Sequence, residues 1–496
     1  PPQERGTTVK KRWISLLLSV LLVAVFAVNA QAAAPYVISN DNNASQRYEL
    51  SSFAEVQAKL EEIKRSATDT DKYTLTLNQD LVIQGKNNTV ELSGGTKTIQ
   101  WTVEGNGFKI TKNPQDTDQE DKVIIVGYQA KAVLNNVVVD GQNTYQNIYV
   151  SQKAKLTLGN KAIVQNGMNK LGGTGGVHVA DDGTVIMEGG SQVINNHTVV
   201  PGTPGGGLSL RKRCTAIIKD GALIKGNSST QQGGGISALG DSNITIGKAT
   251  IEDNVAKGLK DYGGGGALFM LSNCKADIDG AIMKNNSASH GGAIYINNGC
   301  KVTVKNTEMS KNHAGETGGG IYSRTDEELL VENNKFLNNK ADQAGGGIVL
   351  YGTNREEASA KPAIIRNCLF DGNDGTTRSG AIDAWVMLTV ENSTIKNNVA
   401  TMGGAVCAVT DLPITIKDSE FTKNAASQYG GAFALFNRTK NNVKDVTIEN
   451  TKFTGNTAVL SGGAIGSYRA GALKVSGSTF TANKALTPDS LNGLGG

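Results

Sequence analysis

Gly291-Gly292-Ala293-Ile294-Tyr295-Ile296 opens a stretch that continues through Val302-Thr303-Val304, Asn306 and Met309-Ser310-Lys311-Asn312, then restarts at Gly318-Gly319-Gly320-Ile321. The restart decides the fold. An apolar residue after a glycine cluster recurs as Val177, Leu208, Ile236, Leu268, Ile294, Ile321, Ile348, Ile382, Val406, Phe433 and Ile465, ten steps over 288 residues. An apolar-x-x-Asn motif ends at Asn166, Asn196, Asn227, Asn254, Asn286, Asn312, Asn339, Asn373, Asn398, Asn424, Asn456 and Asn483, eleven steps over 317 residues. Both features have a mean period of 28.8 residues. Self-similarity at such a period marks a solenoid rather than a set of separate domains.

The unit is built of strands. Val302-Thr303-Val304, Leu388-Thr389-Val390, Ile414-Thr415-Ile416 and Val446-Thr447-Ile448 alternate with period two, and a second short strand pattern follows each glycine cluster. Adjacent glycines would each cost a helix ~1 kcal/mol, so helix is excluded across most of this region. Three residues before the apolar member of each Asn motif stand Asn160, Gly190, Gly221, Lys248, Gly280, Asn306, Asn333, Asn367, Asn392, Asp418, Asn450 and Gly477. All but Lys248 tolerate left-handed backbone cheaply, so every repeat turns a corner at the same place. Strand, corner, strand, glycine bend and strand make one coil of an all-β, right-handed parallel β-helix, with coils ~4.8 Å apart. The recurrent asparagines are expected to stack as an amide ladder between coils.

Composition narrows the function. With 61 glycines and 9 prolines in 496 residues, the chain stays well below the ~25–30% of a low-complexity sequence and is expected to fold. Aromatics at 5% are scarce for a wide core. Forty-nine basic against 45 acidic residues give +4, too balanced to indicate a nucleic-acid partner. Cys214, Cys274 and Cys300 share parity with the apolar residues of their strands, so they are expected to face inward as small hydrophobes, and the absence of any Cys-x-x-Cys pair argues against zinc. His178, His197, His290 and His313 fall in different phases of the repeat, which assigns no metal, and no cofactor is expected. Asp181-Asp182 precedes Gly183 in a turn, while Glu327-Glu328 and Glu356-Glu357 sit in loops without a histidine or arginine at a repeated offset. No catalytic residue is assigned.

Lys10-Lys11-Arg12, the apolar run 13–28 and Ala30-Gln31-Ala32 have the order of a secretory signal peptide. Read as a membrane span, that run would reach only about 24 Å of a ~30 Å hydrocarbon core. Cleavage near Ala32 to Ala34 is expected, leaving a mature chain without a membrane span, secreted or held at the cell surface. Val9, just before the basic residues, reads as an alternative start. Residues 51–65 place Phe53, Val56, Leu60 and Ile63 on one helical face, with Ser52 and Glu55 as a capping box. The division expected is a signal peptide with upstream extension (1–34), an N-terminal cap with this helix (35–72), irregular first coils (73–160), regular coils (161–486) and a truncated end (487–496).

Full Gly-Gly-Ala-Ile occurs at Gly291 to Ile294 and Gly462 to Ile465, and Phe-x-x-Asn begins at Phe336, Phe370, Phe421, Phe453 and Phe480. This pair resembles the repeats of the polymorphic outer membrane proteins of chlamydiae over residues 161–486 and, more loosely, the pectin-lyase-like β-helix superfamily. The resemblance implies a surface-exposed, adhesin-like passenger, usually followed by a membrane barrel. Counting outward from the anchors places Phe269, Tyr295 and Tyr322 one residue on, and Tyr351, Trp385, Val409, Phe436 and Tyr468 three residues on. Regular alternation would expose these side chains. The aromatics are the ligand-binding candidates, forming a platform for a glycan or a host or partner surface protein, unless loops such as 352–362 or cross-coil stacking cover them. A polysaccharide lyase or glycosidase, and a stalk for a further C-terminal domain, are the alternatives.

Overall fold

The computed structural model describes residues 33–116, 122–170, 173–202, 204–258, 263–353, 361–436, 445–468 and 472–486. The signal-peptide motif in residues 1–32, Glu356-Glu357 and the end at 487–496 lie outside the described residues.

Every coil gives one strand to each of three long sheets. Among the described residues the first sheet has 17 strands, two of them from the N-terminal cap, the second 15 and the third 14, and short strands in runs of seven and four form a narrow fourth face. The coil that opens at Ile294 places Ile294–Asn297 in the third sheet, Lys301–Lys305 in the first, Glu308–Ser310 in the second and His313–Thr317 in the fourth. Each strand lies parallel to its counterpart one coil on: Ile294 opposes Ile321, Val302 opposes Leu329 and Met309 opposes Phe336. Repeat spacing is therefore spatial register. Alternate side chains turn inward, so Ile294, Ile296, Cys300, Val302, Val304 and Met309 are all buried in one core.

Helix α1 (Phe53–Ser66) buries Phe53, Val56, Leu60 and Ile63, the face expected from the spacing. Ser52 accepts the Glu55 N–H at 3.3 Å, but the Glu55 carboxylate reaches back to the Ser51 N–H (2.8 Å) and hydroxyl (2.9 Å), so the reciprocal bond falls one residue earlier than in a regular capping box. The cap also contains an unforeseen antiparallel element. Tyr36–Asn40 pairs with both Asn43–Leu50 and Lys72–Leu77. Polar Asn43–Leu50 has no apolar alternation to reveal it. Among the described residues, no helix is long and apolar enough to cross a membrane.

The asparagines stack as expected. Asn312 Oδ1 accepts the Asn286 backbone N–H (3.0 Å) and amide (3.1 Å), while the Asn312 amide donates to Asn339 Oδ1 and to the Met283 carbonyl, both at 2.9 Å. The same pattern runs from Asn196 to Asn483. Asn166 is the exception and corrects the expected register. Val164, not Ile163, points inward there, so Lys161 rather than Asn160 takes the left-handed corner (φ 59°), and Asn166 is itself left-handed (φ 52°). Gly167 occupies the rung position, and Asn147 supplies the missing amide to Asn196 Oδ1 at 2.8 Å. The glycine pairs have two separate causes. Gly291 is left-handed (φ 60°), whereas a Cβ on Gly292 would stand 2.3 Å from the Gly319 carbonyl oxygen of the next coil.

All five cysteines are buried as free thiols. Burial pushes Cys368 up to about 12, so its thiolate is scarce at neutral pH. Native protein treated with iodoacetamide at pH 8 is expected to show alkylation of Cys368 only after denaturant is added, as followed by mass spectrometry.

Candidate binding face on the third sheet

Parallel register brings five of the seven aromatic candidates together. Phe269, Tyr295, Tyr322, Tyr351 and Trp385 form one row on the outer side of the third sheet, with successive ring centroids 5.0, 4.8, 5.6 and 5.2 Å apart. Phe436 and Tyr468 form a separate pair at 6.3 Å. The expected exposure needs correction at the first three, which are 2%, 8% and 8% exposed. They point outward but lie beneath the turn that leads into each strand. The Tyr295 ring fills the space beside Gly264, and His290 packs on Tyr322 at 5.0 Å. With Val349 they form a second, external apolar cluster. Tyr351, Trp385 and Phe436 are half-buried, and Tyr468 is 58% exposed.

The coil at Ile382 departs from the repeat at several positions together. Ser379 stands where other coils have a left-handed glycine and keeps that conformation (φ 52°), at a cost of ~1–3 kcal/mol for a non-glycine residue. Asp383 replaces the outward ring or small residue and is fully buried, while Arg378 retains 27% side-chain exposure. The Asp383 carboxylate accepts bonds from Arg378 Nε (3.4 Å) and its terminal nitrogen (3.2 Å), Ser379 Oγ (3.3 Å) and Trp385 Nε1 (3.0 Å). Arg378 also donates to the Tyr351 hydroxyl at 3.2 Å and lies 5.2 Å from the Trp385 ring. Burial opposes the guanidinium charge, and Asp383 outweighs it, holding the Arg378 pKa above its ordinary value. Cys407, one coil on, is pushed up by burial and by Asp383. With four donors on its carboxylate, Asp383 is suited to fixing Arg378 between two rings rather than to removing protons.

Arg378 and Asp383 carry no repeated signal in the sequence, and His290 is visible there only as one of four histidines without a metal-binding pattern. Four residues before successive anchors stand His290, Thr317, Ala344 and Arg378, and these four pair in register across neighbouring coils. His290 Nδ1 meets Thr317 Oγ1 at 2.8 Å, and its Nε2 lies 3.7 Å from Glu316. His178 lies elsewhere in the coil, but the expected scatter fails for His197 and His313, which each follow a ladder asparagine and share one column four coils apart. Among the described residues no group of three or more His, Cys, Asp or Glu could hold a metal ion. Asp182 is held by Arg213 through bonds of 2.7 and 2.9 Å, and Asp181 faces Arg211 at 3.8 Å. The adjacent aspartates therefore make ion pairs at a turn, where Asp182 is left-handed (φ 61°).

Toward the N-terminus the same face carries His178, stacked on Tyr149 at 5.3 Å. Burial, then Arg211 and Lys122, lower the His178 pKa from 6.5 to about 4 against the opposing pull of Asp181. Folding thus excludes a proton that the unfolded chain accepts. This contribution to stability is complete above pH 6.5 and declines as pH falls toward 4, by up to about 3 kcal/mol. Urea titrations of His178→Gln at pH 7 and pH 4.5 are expected to show a smaller pH-dependent loss than the parent.

A family model described as a right handed beta helix region matches residues 262–386 and, overlapping them, 319–493. The fold is a right-handed parallel β-helix. No curated protein and no solved structure matches the chain. Within the β-helix, the first matched segment holds the continuous aromatic row, and the second extends past Tyr468.

Proposed function

We propose that this β-helix is a secreted or cell-surface binding module of adhesin or passenger type, which engages a glycan or a partner surface through the outer side of its third sheet. The observation that carries the proposal is the Tyr351, Arg378 and Trp385 cluster, in which a partly exposed guanidinium is fixed between two half-buried rings. Tryptophan, tyrosine and arginine dominate recognition surfaces because rigid rings and a preorganised fork lose little entropy on binding. The buried rings from Phe269 to Tyr322 stiffen the row beneath this exposed end. Phe436 and Tyr468 extend the face two and three coils farther. Export is supported by the basic, apolar and small-residue order of residues 10–34, and the passenger reading by the Gly-Gly-Ala-Ile and Phe-x-x-Asn repeats.

Labelled mature protein applied to a glycan array and to cell surfaces tests the proposal. The double variant Tyr351→Ala, Trp385→Ala is expected to lose at least tenfold in affinity for whatever surface the parent binds. Unchanged binding by a folded double variant would remove the row from recognition.

A further inference from the structure

On the outer side of the third sheet, Tyr149, His178, Ser209, Ser237, Phe269, Tyr295 and Tyr322 oppose one another in successive coils. Between Tyr149 and Tyr322 the two serines interrupt a run that otherwise carries a ring at every step. A ring projects much farther than a hydroxymethyl group, so the serines leave a notch. A cleft of roughly 510 Å³ opens there, within the ~300–1,000 Å³ range of small-ligand sites. Ser209 lies between His178 toward one end and Leu271 toward the other. Thr174 and Gln232, which precede the strands, and Arg211 and Leu239, at the strands' far ends, all line it.

Seven buried side-chain polar atoms among the described residues lack a hydrogen-bond partner, and three belong to this column or its wall: Thr174 Oγ1, His178 Nδ1 and Ser237 Oγ. Thr174 and Ser237 are fully buried. Thr174 and His178 line the cleft, and Ser237 follows Ser209 in the column behind it. Buried polar groups are normally paired, so orphans at one cleft point to a molecule that completes them. Their chemistry identifies its class. Hydroxyls and a neutral imidazole both donate and accept, as the hydroxyls of a sugar do. Arg211 is 3.8 Å from Asp181 at the exposed rim, and Lys212 is exposed there as well, so the charges stay at the mouth. Leu239, Leu271 and Pro204 supply apolar surface for the C–H face of a ring.

We propose that this notch binds a single neutral sugar ring, free or at the end of a glycan, through Thr174, His178 and Ser209. The site uses none of Tyr351, Arg378 and Trp385, and stands or falls separately from the aromatic row. Saturation-transfer NMR of the full chain tests it with the methyl glycosides of glucose, galactose, mannose and N-acetylglucosamine, and with galacturonate as the charged comparison. At least one neutral glycoside is expected to receive saturation. Thr174→Val, which keeps the volume and removes the hydroxyl, is expected to weaken that binding at least fivefold. Ser209→Phe, which fills the notch, is expected to abolish it, and the Tyr351→Ala, Trp385→Ala variant is expected to bind the sugar as the parent does. Transfer to no neutral glycoside, transfer to galacturonate alone, parental affinity in Thr174→Val, or loss in the aromatic double variant would each overturn the proposal. Thr174→Val decides the matter if Ser209→Phe does not fold.

Discussion

Replacing Asn312 by alanine is expected to lower the unfolding free energy by about 3–5 kcal/mol. The side chain is fully buried, and its oxygen is the acceptor for two donors of Asn286, the backbone N–H and the amide. Alanine leaves both donors in a dry interior, where each unpaired group costs about 1–3 kcal/mol. It also removes the donor that reaches the Met283 carbonyl. Asn483, the last rung among the described residues, supplies the internal comparison. It is only half-buried, so water can replace part of what Asn483→Ala removes from Asn456, and a loss of about 1 kcal/mol is expected there. Guanidinium denaturation followed by circular dichroism compares the two. Equal losses would show that burial of the amide column contributes nothing beyond its individual bonds.

The second large effect is at Asp383. Asp383→Ala strands the Arg378 guanidinium and leaves Trp385 Nε1 without this acceptor, and breaking a buried ion pair typically costs about 3–5 kcal/mol. Removing both charges is a different matter. Arg378→Met combined with Asp383→Leu is expected to lie within about 1 kcal/mol of the parent, because replacing a buried pair with apolar side chains of similar volume is often neutral. Melting curves of both proteins separate the possibilities. If the single variant is as stable as the parent, Asp383 does not anchor Arg378. A folded double variant that no longer binds would assign the pair to recognition rather than to stability.

The coil was legible because its rules are local and repeated. Glycine clusters, corner asparagines and inward apolar residues each answer to one backbone demand, and a 28.8-residue period repeats that demand often enough to read. The first regular coil escaped because Ile163 and Val164 are adjacent apolar residues, and nothing local says which one turns inward. The aromatic row was legible as a column, but its burial was not. Whether Tyr295 meets solvent depends on Gly264 from the preceding coil and on His290 in the turn into its own strand, and no periodicity within a single strand reports on those turns. Arg378 and Asp383 were hidden for the opposite reason. They break the pattern, and a search for recurrence passes over residues that occur once.

Ile294 and Ile321 stand opposite each other in adjacent coils, as do Leu268 and Ile294. An in-frame deletion of residues 294–320 would therefore set Leu268 directly against Ile321 with every alternation intact. Such a chain would be one storey shorter, and Tyr322 would sit on Phe269 with Tyr295 gone. Unequal recombination between repeats could thus trim or extend the rod while preserving its cross-section, making reach and ring content heritable quantities that vary in whole steps.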